Sequence, residues 1–266
     1  MRSALAAVFV LATAALAAAV SLPPPVACGG GCNGCWVPPP VTSWQWQIQD
    51  TVDQSVDVAM YDIDLFDNDA SVVASLHAAG RHVICYLDAG TWENWRPDAS
   101  EFPADVLGRG DGFPGEKWLD IRRLDVLEPI LSARLDLCKS KGFDGVEFDN
   151  VDGYTNNTGF PLTADDQLAF DVWLANQAHT RGLNAALKND LDQVSDLLPY
   201  FDWALDEQCF QFDECDALTP FVTAGKSVME VEYKLKTSAF CPEANAMNFN
   251  SLKKTVALDA TRTPCR

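Results

Sequence analysis

Histidine is scarce. The 266-residue chain has three, His77, His82 and His179. None falls at the end of an expected strand, and each reads as an ordinary surface or packing residue. That leaves no histidine-centred triad and no histidine-based metal site, and no metal is expected. Basic residues are also few: 19 Lys and Arg stand against 38 Asp and Glu, a formal net charge of −19. Such a surface disfavours nucleic acid and anionic membrane as partners and favours a cationic ligand. No GxGxxG or P-loop sequence follows any expected strand, so no nucleotide or other cofactor is implied. Past residue 20 no apolar run is long enough to span a bilayer.

What is present divides the chain into three parts. Residues 1–20 hold one basic residue and then an Ala-rich apolar run, the pattern of a secretory signal peptide, so the protein is expected to be secreted. Residues 21–40 (SLPPPVACGGGCNGCWVPPP) carry proline triplets around a Gly/Cys run, which cannot build a core and reads as a linker. Residues 41–266 are long enough for one large domain, expected to be a monomer.

There are nine cysteines. Export favours disulfides. Cys209 is expected to pair with Cys215, closing a short loop, and Cys241 with Cys265, stapling the tail. Cys85, in a strand, and Cys138, on a helix face, are expected to be buried free thiols. Cys32 and Cys35 form a CxxC that reads as a local disulfide, since no second pair stands at metal spacing. Asn156-Asn157-Thr158 is a glycosylation sequon.

Four times a helical pattern ends at a glycine and a strand begins within a few residues: at Gly80, Gly142, Gly182 and Gly225. Glycine just past a helix end is the usual left-handed cap. Thr163-Ala164-Asp165-Asp166 resembles a capping box opening a further helix. Additional strands are expected at 44–49, 58–64, 201–207 and near 247–250. Strand and helix alternating at this density imply a parallel sheet. Eight strands fit an α/β fold of the (β/α)8 barrel type, with an open doubly wound sheet as the alternative.

In a barrel, function gathers at the C-terminal strand ends. Acids sit at nearly every one. In GFDGVEFDNVDGY (142–154), Glu147 and Asp149 share strand parity and point to one face. Asp50, Asp88, Glu93 and Glu207 end or follow other strands, beside Asn150, Asn189 and one cation, Lys188. Aromatics accompany them, among them Tyr61, Trp92 and Trp203. Paired carboxylates with aromatic platforms are what glycoside hydrolysis needs. Glu147, one pleat below Asp149, reads as a buried acid paired with Lys188.

Four stretches, ICYLDAGTWENWRPD (84–98), KWLDIR (117–122), GFDGVEFDNVDGY (142–154) and DEQCFQFDEC (206–215), resemble glycoside hydrolase family 114, the endo-α-1,4-polygalactosaminidases, over Trp44 to Leu258. The resemblance implies a secreted (β/α)8 barrel cleaving within α-1,4-linked galactosamine stretches, a cationic polysaccharide. By motif it assigns Asp149 as nucleophile and Glu207 as general acid/base, with retention of configuration. The substrate-binding candidates are Asp50, Tyr61, Asp88, Trp92, Glu93, Asn150, Lys188, Asn189 and Trp203. The alternatives are a non-catalytic, lectin-like glycan-binding barrel, or a glycosidase acting on another α-linked glycan.

Overall fold

The computed structural model describes residues 21–28 and 34–266. The leader and Cys32 lie outside the described residues. Eight parallel strands form one curled sheet: β1 (Trp44–Gln47), β2 (Met60–Asp64), β3 (His82–Asp88), β4 (Gly145–Asp149), β5 (Asn184–Lys188), β6 (Trp203–Glu207), β7 (Val228–Glu232) and β8 (Asn250–Lys253). The order is sequential, each strand pairing with the next in parallel. This is the barrel architecture that the alternation of strands and helices predicts.

Among the described residues no backbone ladder joins β8 to β1. The seam is bridged instead by side chains and by the tail. The Trp44 indole donates to the carbonyl of Asn250 at 2.7 Å. Thr263–Pro264 pairs antiparallel with β8. On the β1 side, Ile48 N–H donates to the carbonyl of Leu258 at 3.1 Å.

Strand alternation sorts the side chains into two cores. Trp44, Trp46, Met60, Ile84, Ala186, Trp203, Leu205, Met229, Val231 and Leu252 pack together inside the barrel. The opposite parity (Tyr61, Ile63, Cys85, Val146, Phe148, Leu187, Ala204) packs outward against the helices. The main ones are α1 (Ala70–Ala78), α2 (Leu124–Lys141) and α3 (Ala164–Thr180). α2 buries Ile130, Leu131, Arg134, Leu135 and Cys138, the residues at helical spacing. α3 opens with a complete capping box between Thr163 and Asp166. Gly142 takes a φ of 93° past the end of α2, and Gly80, Gly182 and Gly225 are likewise left-handed.

The disulfides correct two expectations. Cys209–Cys215 and Cys241–Cys265 are bonded as expected. Cys85 and Cys138 are not free: they are bonded to each other, their Cα atoms 6.1 Å apart. Cys85 faces outward from β3, and Cys138 lies on the face of α2 that covers it, so the two meet within disulfide reach. The CxxC disulfide expected within residues 32–35 is the second correction: Cys35 pairs with Cys28 instead.

The three histidines lie at the N-terminal strand ends. His77 and His179 contact Asp144 and Asp202, each at 2.9 Å, and His82 stacks on Trp36. The Pro-rich stretch on either side of residues 29–33 is fastened at this end. Pro23 O accepts from Tyr200, and Asn184 donates to Trp36 O, each at 2.8 Å. No described helix is long and apolar enough to cross a membrane.

Candidate active site

The other end of the barrel is organised by one ammonium. Lys188, last residue of β5, points inward and is buried. Its Nζ lies 3.0 Å from Glu147 Oε1, 2.9 Å from Asp149 Oδ1 and 3.3 Å from Glu207 Oε2. Beneath it, the Trp46 ring centroid is 4.7 Å away. Burial works against the lysine's charge, but Asp149, Glu207 and Glu147 outweigh it and hold the ammonium well above the usual lysine pKa.

Each carboxylate has further support. Asp149 accepts from the Tyr86 hydroxyl at 2.7 Å and from the Asn150 N–H at 2.9 Å. Burial raises its carboxyl. The Lys188 charge and the hydrogen bonds from Tyr86, Lys188 and Asn150 outweigh that and hold it below the usual range. Glu207 accepts a hydrogen bond from the Tyr233 hydroxyl, and its N–H donates to Asn189 Oδ1 at 3.1 Å. Glu147 is completely buried, with its second oxygen unpartnered and Asp62 beside it. Burial pushes its pKa up to about 7, against the opposing pull of Lys188. The expected Glu147–Lys188 pair is therefore present. Asp149 and Glu207 are the two members that reach the surface, with side chains 19% and 26% exposed.

Local backbone aims these groups. Asn150, Asn189 and Gln208, each directly after Asp149, Lys188 or Glu207, have φ values of 59°, 50° and 69°. The chain thus turns sharply after every one of the three. Asparagine tolerates this conformation; for glutamine it is unusual and marks a constrained site.

A second brace comes from the β3 loop. Ala89 and Gly90 N–H both donate to Asp149 O, at 3.2 and 3.1 Å. Gly90 lies so close to Asn150 that any Cβ there would overlap its carbonyl. Gly90→Ala is therefore expected to push Asn150 and Asp149 out of place, lowering kcat by roughly 10²-fold. Steady-state kinetics of the variant check this.

The remaining sequence candidates separate. Asp88 is buried and accepts from Thr91 and, at 2.9 Å, from Asn150 Nδ2, so it braces Asn150 from behind. Trp92 is half-buried, its indole donating to Ala99 O at 2.9 Å. Asp50 is exposed and lines a rim depression with Asp67 and Asp69 that shares no residue with the Lys188 cluster. Three candidates are corrected. Tyr61 has outward parity, and its buried hydroxyl donates to Val56 O at 2.7 Å. Trp203 points inward but begins β6, so it forms the barrel floor. Glu93 is buried in an ion network, 2.6 Å from Arg96, which also grips Asp64 at 2.6 and 3.0 Å. Tyr86 and Tyr233 are carboxylate partners not among the expected site residues. Their signal was parity, since Tyr86 aligns with Glu147 in register and Tyr233 continues the inward face of Met229 and Val231.

Comparison with known proteins matches the profile of glycoside-hydrolase family GH114 to residues 31–266. The chain belongs to that family. It is similar to Aspergillus fumigatus Ega3, solved in complex with galactosamine. The two share 40% identity with a TM-score of 0.83, over 89% of this chain and 100% of that one. The glycoside hydrolase domain of Pseudomonas aeruginosa PelA shares the fold, with a TM-score of 0.66 at 12% identity, over 83% of this chain and 96% of the domain. An uncharacterised protein of Deinococcus radiodurans is 31% identical over 132 residues, 46% of this chain and 42% of its own length. The chain thus aligns with less than half the length of that curated relative.

Proposed function

We propose that this protein is a secreted, endo-acting hydrolase of α-1,4-linked galactosamine, with Asp149 as nucleophile and Glu207 as general acid/base. The observation that carries the mechanism is the shared ammonium. One Nζ touches Asp149 at 2.9 Å and Glu207 at 3.3 Å, so the two carboxylates face one shared cation, which supports the close spacing of a retaining pair. A close pair suits double displacement. Glu207 protonates the glycosidic oxygen while Asp149 attacks the anomeric carbon, breaking its bond to the leaving sugar. Glu207 then takes a proton from water, which attacks the same carbon and frees Asp149. Tyr86 and Lys188 hold Asp149 ionised and aimed for attack; Tyr233 and Asn189 orient Glu207.

Similarity to Ega3, solved with galactosamine, supports the amino sugar, as does the net charge of −19. A cleft ringed with acids concentrates a polycation. The four disulfides among the described residues suit an exported chain. The test is reducing-end release from de-N-acetylated α-1,4-galactosamine polymer. Wild type is expected to yield internal fragments, and Glu207→Gln to lower kcat by about 10²–10⁴-fold. Equal release by both proteins would remove Glu207 from the chemistry.

A further inference from the structure

The barrel interior holds one carboxyl that the mechanism leaves unused. Asp62, on β2, faces inward, and the strand register shows what it meets. Asp62 stands opposite Ile84 on β3, and Ile84 opposite Gly145 on β4. Barrel strands are tilted, so side chains that share a level advance by about one residue per strand. Two strands on from Asp62, that level falls at Glu147. The same step carries Trp46 on β1, through Asp62, Ile84, Gly145 and Asn184, to Lys188 on β5. Lys188 Nζ does lie 4.7 Å from the Trp46 ring centroid. Continued to β6 and β8, the Asp62 level reaches Leu205 and Leu252, both packed inside the barrel. Alternate strands fill each layer of such a barrel with four side chains. This layer is therefore two leucines and two neighbouring acids. Both acids are completely buried. Neither oxygen of Asp62, nor Oε2 of Glu147, accepts a hydrogen bond from a described N–H or O–H.

The other titratable groups around the pair are engaged above it. Lys188 from β5 pairs with Glu147 Oε1, Asp149 and Glu207. Tyr86 of β3 donates to Asp149, and Tyr233, just past β7, donates to Glu207. β1 presents Trp46 and β8 presents Leu252. A second anion in this layer would have neither a cation nor a donor. Two acids in one apolar site keep a proton between them. Glu147 already accepts from Lys188, so the proton belongs on Asp62. We infer that Asp62 is a positioning residue: protonated, it donates to Glu147 Oε2 and fixes the carboxylate that holds Lys188 against Asp149 and Glu207. Burial, and then the Glu147 charge, push the Asp62 carboxyl well above the ordinary range, in keeping with this assignment. An ionised Asp62 would draw the ammonium down, away from the two carboxylates at the mouth. The effect on turnover rests on the proposed hydrolysis; the proton on Asp62 does not.

Infrared spectroscopy reads the proton directly. At about pH 6 an ordinary carboxyl is ionised. The difference between wild type and Asp62→Asn at that pH is expected to show the loss of one protonated-acid carbonyl band. Kinetics on α-1,4-galactosamine polymer read the positioning. Asp62→Leu, close in volume but without a donor, is expected to lower kcat by about tenfold or more while KM changes by less than about twofold. Asp62→Asn, whose amide still donates to Glu147, is expected to recover most of that loss. No lost band in the Asn variant overturns the inference. So does an Asn variant as slow as the Leu variant, or a Leu variant as fast as wild type. Should the Leu variant not fold, the infrared comparison of wild type with the Asn variant still decides. The two readings fail separately. If wild type releases no reducing ends, hydrolysis of this polymer falls and the band alone decides for Asp62. If wild type hydrolyses and the band is unchanged in the Asn variant, the inference falls and hydrolysis stands.

Discussion

Lys188→Met is expected to lower turnover by about 10²–10³-fold or more and to lower the thermal midpoint by roughly 10 °C. The residue is the shared partner of Glu147, Asp149 and Glu207. Methionine fills most of the volume but leaves three carboxylates facing one another. Removing one partner of a buried ion pair costs about 3–5 kcal/mol. Each kcal/mol moves the midpoint of a domain near this size by about 2–4 °C. The kinetic loss is expected at about 10²–10³-fold or more, since the lysine fixes the position of both groups and the ionisation of Asp149. Thermal unfolding and hydrolysis assays of the same preparation measure both. The double variant Glu147→Gln/Lys188→Met should recover part of the stability, because one stranded acid is gone, and little of the activity. A Lys188→Met protein melting within about 2 °C of wild type would show that the ammonium is not what holds these acids together.

Stability is expected to fall as pH rises from about 5 to 8, by on the order of 5 °C in the midpoint. The cause is a set of buried acids without cations in contact. Asp206 and Glu230 are adjacent in register, with Ser251 next to Glu230 on β8, and all three face outward under the helices. Both oxygens of Glu230 lack a partner, as do those of Asp62 inside the barrel. Burial pushes Asp62, Asp171, Asp206 and Glu230 well above the ordinary carboxylate range. Unfolded, each titrates near pH 4. Between that value and its folded value the native state holds the extra proton, so the slope of unfolding free energy against pH is negative. This stabilisation is complete below the unfolded pKa and disappears as pH rises through each folded pKa. Asp149 acts oppositely: its carboxyl is held low, so its contribution is lost only as pH falls through that depressed value. Melting curves across the range check the slope. Glu230→Gln, which cannot ionise, should reduce it. A midpoint that is flat or rises from pH 5 to 8 would contradict this account.

Much of the architecture is written locally. The four glycine caps, the Thr163 capping box and the strand that each cap precedes depend on contacts within a few residues, so the barrel could be read directly. The Glu147–Lys188 pair was legible too, since a buried acid on one strand parity and a lone cation leave few arrangements; the roles of Asp149 and Glu207 rest on the family resemblance. The sequence reading lost what depends on which side of the sheet a residue faces and how deep it lies. Tyr61 has the aromatic type of a sugar platform, but its neighbour Asp62 holds the inward parity. Trp203 has the right parity at the wrong end of its strand. Glu93 met Arg96, a pairing set by the long insertion between β3 and α2. Cys85 and Cys138 are 53 residues apart, and only the packing of α2 over β3 brings them together.

The stereochemistry of the first product tests the central claim most directly. Magnetic resonance of a fresh digest of α-1,4-galactosamine oligomer records which anomer forms before mutarotation. Asp149 as nucleophile beside a close Glu207 predicts the α anomer first. The β anomer first would mean a single displacement by water, and would contradict a nucleophilic Asp149 and a Glu207 that acts as both acid and base.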